Sequence, residues 1–124
     1  MILDAGFLIS VDRSERAARS FLAAASKAGR DLHTTAPIVA QVWRSGGRQA
    51  RLASFLQTVV VHSLDDGRPT GQLLAQTGTT DVVDAHLVMV AVRLGCDILT
   101  GDPGDIELLA SALGPAAPVV HTWP

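Results

Sequence analysis

Ile98-Leu99-Thr100-Gly101-Asp102-Pro103-Gly104-Asp105 reads as a short apolar strand that turns directly into a helix starting at Pro103. Proline suits a first helical turn because its missing N–H would have no partner there and its φ is already helical. The same strand–helix unit recurs on both sides. Upstream, Thr79-Thr80-Asp81 opens a helix from Val82 to Leu94, with Val83, Leu87, Val90 and Leu94 on one face and Val82, Val88, Met89 and Val92 around the others. A helix that is apolar all round is buried on more than one side. Downstream, the Pro103 helix reaches about Leu113, and Val119-Val120-His121 forms a last strand.

Towards the N-terminus, Met1-Ile2-Leu3 reads as a buried strand ending in a turn at Asp4-Ala5-Gly6. Ser14 is placed to cap a helix from Glu15 to about Lys27, stopped by Gly29. Leu32-His33-Thr34-Thr35 is a second strand, and Pro37 sits in the first turn of a helix carrying Ile38, Val39, Val42 and Trp43. Ser45-Gly46-Gly47 breaks that helix before it resumes from Arg48 to Gln57. Val59-Val60-Val61 reads as a buried strand, followed by a helix ending near Gly78. About five short strands alternating with helices predict one α/β domain over residues 1–124. Its sheet is expected to be mainly parallel and covered by helices on both faces. Such sheets build their sites at the carboxyl ends of the strands, near a reversal of strand order.

Composition narrows the function classes. With 48% hydrophobic and 18% charged residues among 124, the chain has enough apolar material for a core and is not a disordered tail. A net charge of −2 excludes a polybasic surface, so any contact with nucleic acid has to be local. One cysteine, Cys96, excludes an internal disulfide and makes a reducing cytoplasm the expected setting, with the thiol acting as a small buried hydrophobe. Asp4 follows Met1-Ile2-Leu3 with no basic leader, and the longest apolar run, Leu87 to Val92, falls far short of the ~20 residues of a membrane span.

The acids carry the chemistry. Ten of the twelve are Asp, a residue that suits rigid turns and metal sites better than solvated helix faces. Asp4 closes the first strand, Asp81 and Asp84 open the buried helix, and Asp102 and Asp105 follow the strand at Ile98. Asp81 and Asp102 also read as helix caps, and Asp105 as a complement to a helix N-terminus. Asp84 sits among Val82, Val83, Ala85, Leu87 and Val88, where a lone carboxylate is costly to desolvate. Convergent carboxylates suit Mg²⁺ or Mn²⁺ and metal-assisted hydrolysis of phosphate esters. Zinc is unsupported, because His33, His62, His86 and His121 are dispersed as strand-end or surface imidazoles and no cysteines pair.

The segments Ile2-Leu3-Asp4-Ala5, Asp81-Val82-Val83-Asp84-Ala85 and Ile98 to Asp105 together resemble the PIN-domain nucleases, in particular the VapC-type toxins of bacterial toxin–antitoxin pairs. The resemblance spans nearly the whole chain. It implies a Mg²⁺- or Mn²⁺-dependent endoribonuclease, usually a homodimer, restrained by a cognate antitoxin. It also implies Asp4, Asp84 and Asp102 as the main metal-binding and catalytic acids, with Asp105 auxiliary and Asp81 an additional or outer ligand. Where the family usually places a Glu, on the helix after the second strand, this chain has Gln41. An amide oxygen can ligate but brings no charge and cannot act as a base, so weakened, Mn²⁺-dependent or lost cleavage is implied.

Arg44, Arg48 and Arg51 follow at i, i+4, i+7 spacing and read either as phosphate contacts for RNA or as a solvated face. Trp43, at helical spacing from Val39, reads as core. Two other classes compete with a nuclease. A phospho-receiver domain wants an Asp after the third strand, where this chain has His62-Ser63. A PIN-like protein that binds RNA or its antitoxin without cutting is favoured by Gln41 and opposed by the retained Asp4, Asp84 and Asp102.

Overall fold

Strands and helices alternate throughout the computed structural model, which describes residues 1–124. β1 (Ile2–Leu3) leads into α1 (Ala5–Asp12) and α2 (Arg16–Lys27), and β2 (His33–Thr35) into α3 (Ala36–Val42) and α4 (Ala50–Leu56). β3 (Val60–His62) precedes α5 (Arg68–Thr77) and α6 (Val82–Leu94), and β4 (Ile98–Thr100) precedes α7 (Pro103–Ser111). A single 3₁₀ turn (Gly114–Ala116) and β5 (Val120–Thr122) end the chain.

All four strand pairings are parallel, in the order β3-β2-β1-β4-β5. The order runs outward from β1 in one direction through β3, then returns to place β4 on the other side of β1. The reversal therefore lies between β1 and β4, where the crossover helices diverge and leave a crevice at the carboxyl ends. α1 packs on α2, α3 and α4, while α5, α6 and α7 pack on one another. Between them lies a core built on Ile2, Leu3, Phe7, Leu8, Leu87, Val88, Ile98 and Ile106, all buried to 1% exposure or less. Trp43 and Cys96 pack against that core, as expected of both.

Several boundaries differ from the sequence reading, each for a local reason. Residues 4–6 are not a turn: Asp4 accepts a hydrogen bond from the Gly6 amide and starts α1, whose Phe7, Leu8 and Val11 are buried. Ser14 does not cap α2. It adopts φ 53°, and α2 begins after Glu15 without a side-chain cap. α4 starts at Ala50, because the turn through Arg48 is closed instead by Gln49. The third strand is not buried. β3 is an edge strand with Val60 and Val61 exposed, because nothing pairs with it beyond β2. No helix is long and apolar enough to cross a membrane.

Candidate metal centre

Asp4 arrives at the crevice as β1 ends. Its Oδ1 accepts from the Gly6 amide at 2.9 Å, and its Oδ2 accepts from the Gly101 amide at 3.2 Å and from the Thr100 hydroxyl. Burial pushes its carboxyl above the ordinary value, while the Thr100 hydroxyl and the amides of Gly6, Gly101 and Phe7 pull it back. Thr100 is fully buried at the end of β4, and its Oγ1 also accepts from the Asp102 amide at 2.9 Å. One hydroxyl thus ties the acid of β1 to the turn that carries Asp102. The two segments meet closely enough that a Cβ at Gly6 would stand 3.3 Å from the Gly101 Cα.

The second pair of acids comes from α6. Asp81 is its N-cap and accepts from the Asp84 amide at 3.0 Å. Asp84, partly buried in the first turn, has its pKa pushed up to about 6, first by burial and then by the charges of Asp81, Asp4, Asp102 and Asp105. Asp102 occupies the N-cap position of α7 but makes no side-chain capping bond. Asp105 is raised by its hydrogen bond to Asp102 and by that neighbour's charge.

Asp4, Asp81, Asp84, Asp102 and Gln41 line one cavity of about 320 Å³. A neighbouring cavity of about 250 Å³ shares Asp81 and Asp84 and adds Asp105, Thr79 and Thr80. The sequence-derived acids therefore converge, with Asp105 one step to the side and Gln41 facing the same space. The donor set fits a hard divalent cation: carboxylate oxygens and one amide oxygen, with room for the waters that Mg²⁺ retains. No His or Cys lines the cavity, so it lacks the nitrogen and sulfur donors that mark most zinc sites. No three acidic, His or Cys side chains are arranged to enclose an ion unaided.

The arginines do not form a stripe. The Arg44 guanidinium folds back to donate to the carbonyls of Trp43 and Ala40 at 2.7 and 3.2 Å, closing the end of α3. Arg48 lies in the exposed turn between α3 and α4. Arg51 lines a different groove of about 760 Å³, with Arg19 and Arg30, between α2 and α4. That groove is the larger of the two but shares no residue with the acid cavity.

Two features escaped the sequence reading. Thr100 positions both Asp4 and Asp102, and its only signal was a hydroxyl at the end of an otherwise aliphatic strand. Histidines scattered along the chain meet in space, with His33 Nδ1 lying 3.0 Å from His62 Nε2. His86 is neither at a strand end nor on the surface: it is buried in α6 with an unpartnered Nδ1.

Comparison with known proteins bears on the fold. No family model and no curated protein matches the chain. Among 11 matching chains of solved structures is one from the VapBC2 assembly of Rickettsia felis, bound to a DNA fragment from the promoter of its own genes. The two chains superpose with a TM-score of 0.70 over 99% of this chain and 98% of that one, at 13% sequence identity. The α/β architecture with five parallel strands is thus that of a PIN-like domain.

Proposed function

We propose that this protein is a metal-dependent endoribonuclease acting as the toxin of a toxin–antitoxin pair. The observation that carries the reading is the convergence of Asp4, Asp84 and Asp102 on one cavity at the β1–β4 reversal, with Asp81 beside them and Asp105 in the adjoining space. The full-length likeness to a chain of a VapBC assembly supports the toxin role and a cognate antitoxin as partner. Assembly as a homodimer belongs to the same proposal, with the exposed Val82 and Leu108 available to such a contact.

Asp4, Asp84 and Asp102 would hold Mg²⁺ or Mn²⁺, which when bound supplies Lewis acidity and charge neutralisation at a scissile phosphate. The chain's own part is positional. Thr100, Gly6 and Gly101 fix the Asp4 carboxylate, and Asp102 stays uncapped so that its oxygens face the cavity. Asp84 stands under the repulsion of four other carboxylates, which a cation relieves. Arg44, Arg48 and Arg51 are proposed as phosphate contacts only individually, since they do not share a face.

The test is cleavage of structured RNA, such as defined tRNA and rRNA fragments, in Mn²⁺ or Mg²⁺. Activity is expected to vanish with excess chelator and in Asp4→Asn or Asp102→Asn; cleavage that persists in both variants overturns the mechanism. Gln41, neutral and facing the acids, favours a second reading in which the domain binds RNA or antitoxin without cutting. RNA retention without products in either metal, with cleavage appearing in Gln41→Glu, selects that reading.

A further inference from the structure

β3 hydrogen-bonds only to β2, and its Val60 and Val61 are 52% and 40% exposed. Little apolar burial holds this strand, and a line of side chains crosses it instead. His33 Nδ1 on β2 lies 3.0 Å from His62 Nε2 on β3, and Arg93 Nη2 on α6 lies 3.3 Å from His62 Nδ1. Arginine can only donate, so His62 Nδ1 is the accepting nitrogen. His62 then carries its hydrogen on Nε2 and donates to His33 Nδ1, which leaves the His33 hydrogen on Nε2. Two contacts thereby set both tautomers, with both rings neutral.

There is no room for another proton. Placed on His62 Nδ1, it sets an N–H and a positive charge against the Arg93 guanidinium. Placed on His33 Nδ1, it faces the N–H of His62; if His62 switches tautomer to accept it, the displaced hydrogen arrives at Nδ1, again opposite Arg93. Every protonated arrangement therefore puts a donor against a donor. The other charged or titratable groups around the pair are the Met1 amino group and Asp31 beside His33, and His86 of α6 beside His62. Asp31 is the one acid in that set.

We propose that the Arg93–His62–His33 chain is an acid-sensitive latch on β3, fastening the edge strand while both rings are neutral and releasing it when either takes a proton. Burial first, and then the neighbouring positive groups, hold both imidazoles below the ordinary value of 6.5. The stability contributed by the latch is therefore fully present above about pH 6.5 and is lost as the pH falls through the lowered folded-state values. The inference uses β2, β3 and α6 alone and is independent of the acid cavity.

The test is ring-nitrogen NMR and amide exchange on the full chain. At about pH 8 both His33 and His62 should carry hydrogen on Nε2. On acidification to about pH 5, exchange of the β3 amides relative to intrinsic rates should rise at least about tenfold, while β1 and β4 stay protected. Arg93→Met removes the opposing donor, so His62 should titrate nearer its ordinary value and the acid-induced rise should shrink. A His62 hydrogen on Nδ1 overturns the proposal. So does β3 exchange that follows β1 across the pH range, or an undiminished rise in Arg93→Met.

Discussion

Thr100 donates its hydroxyl hydrogen to the carboxylate of Asp4, joining the ends of β4 and β1 at the point where strand order reverses. Because the same oxygen accepts from the Asp102 amide, the distance between two of the proposed ligands depends on one buried side chain. Thr100→Val keeps the shape but leaves Asp4 short of a donor and the Asp102 amide short of an acceptor. The expected loss is about 1–3 kcal/mol in urea unfolding, with a further rise in the Asp4 pKa, and Thr100→Ser should recover most of both.

Asp84 makes the cation-free protein pH-dependent. Its folded pKa of about 6 lies above the ordinary 3.8, so the folded state binds more protons than the unfolded state between those values. Its contribution is thus most favourable below the ordinary value and is lost as the pH rises through about 6. Asp84→Asn should stabilise the metal-free protein at neutral pH by about 1–2 kcal/mol once solvent screening is allowed for. Thermal melts in chelator at acidic and neutral pH check the sign. Added Mn²⁺ should raise the melting temperature of the natural chain far more than that of the variant.

Gln49 closes the α3–α4 connection. Its Oε1 accepts from the amides of Arg44 and Ser45 at 2.6 and 3.0 Å, and its Nε2 donates to the Val42 carbonyl at 3.0 Å and to Asp12 at 3.3 Å. Gln49→Leu removes all four bonds from a buried position and should cost about 1–3 kcal/mol by denaturant unfolding. Unchanged stability would mean that the turn does not need this amide.

Gly6 is expected to resist substitution for steric reasons. In Gly6→Ala the new methyl presses on Gly101 at 3.3 Å, and neither backbone can turn aside as a flexible side chain would. A loss of about 1–3 kcal/mol is expected, with weaker Mn²⁺ binding as Asp4 and Asp102 move apart. Gly104→Ala, with nothing within 4 Å of its Cβ position, serves as the control.

Most of the architecture was legible because buried parallel strands and helices leave strong local patterns. α6 is the clearest instance, bounded by Asp81 and by Gly95 in the left-handed conformation. α1 was missed because Asp4-Ala5-Gly6 carries turn residues for reasons of its own: a cap, and a close approach to Gly101. β3 was misread as buried because Val59-Val60-Val61 looks the same in an edge strand as in a central one. The acids that line the two adjoining cavities are legible from their places at element ends. Thr100 and the His33–His62 contact are not, since both depend on which strands lie side by side, and strand order is not written locally.

The most direct measurement is a Mn²⁺ titration at neutral pH, followed by calorimetry or by loss of the free-ion electron spin resonance signal. The natural chain is compared with Asp84→Asn, Asp102→Asn and Gln41→Glu, each first shown to be folded. The account predicts saturable binding by the natural chain, at least about tenfold weaker in either Asn variant and tighter in Gln41→Glu, a tenfold change being about 1.4 kcal/mol of binding energy. Equal binding by all four chains, or none by the natural chain, would contradict a metal centre built on these acids.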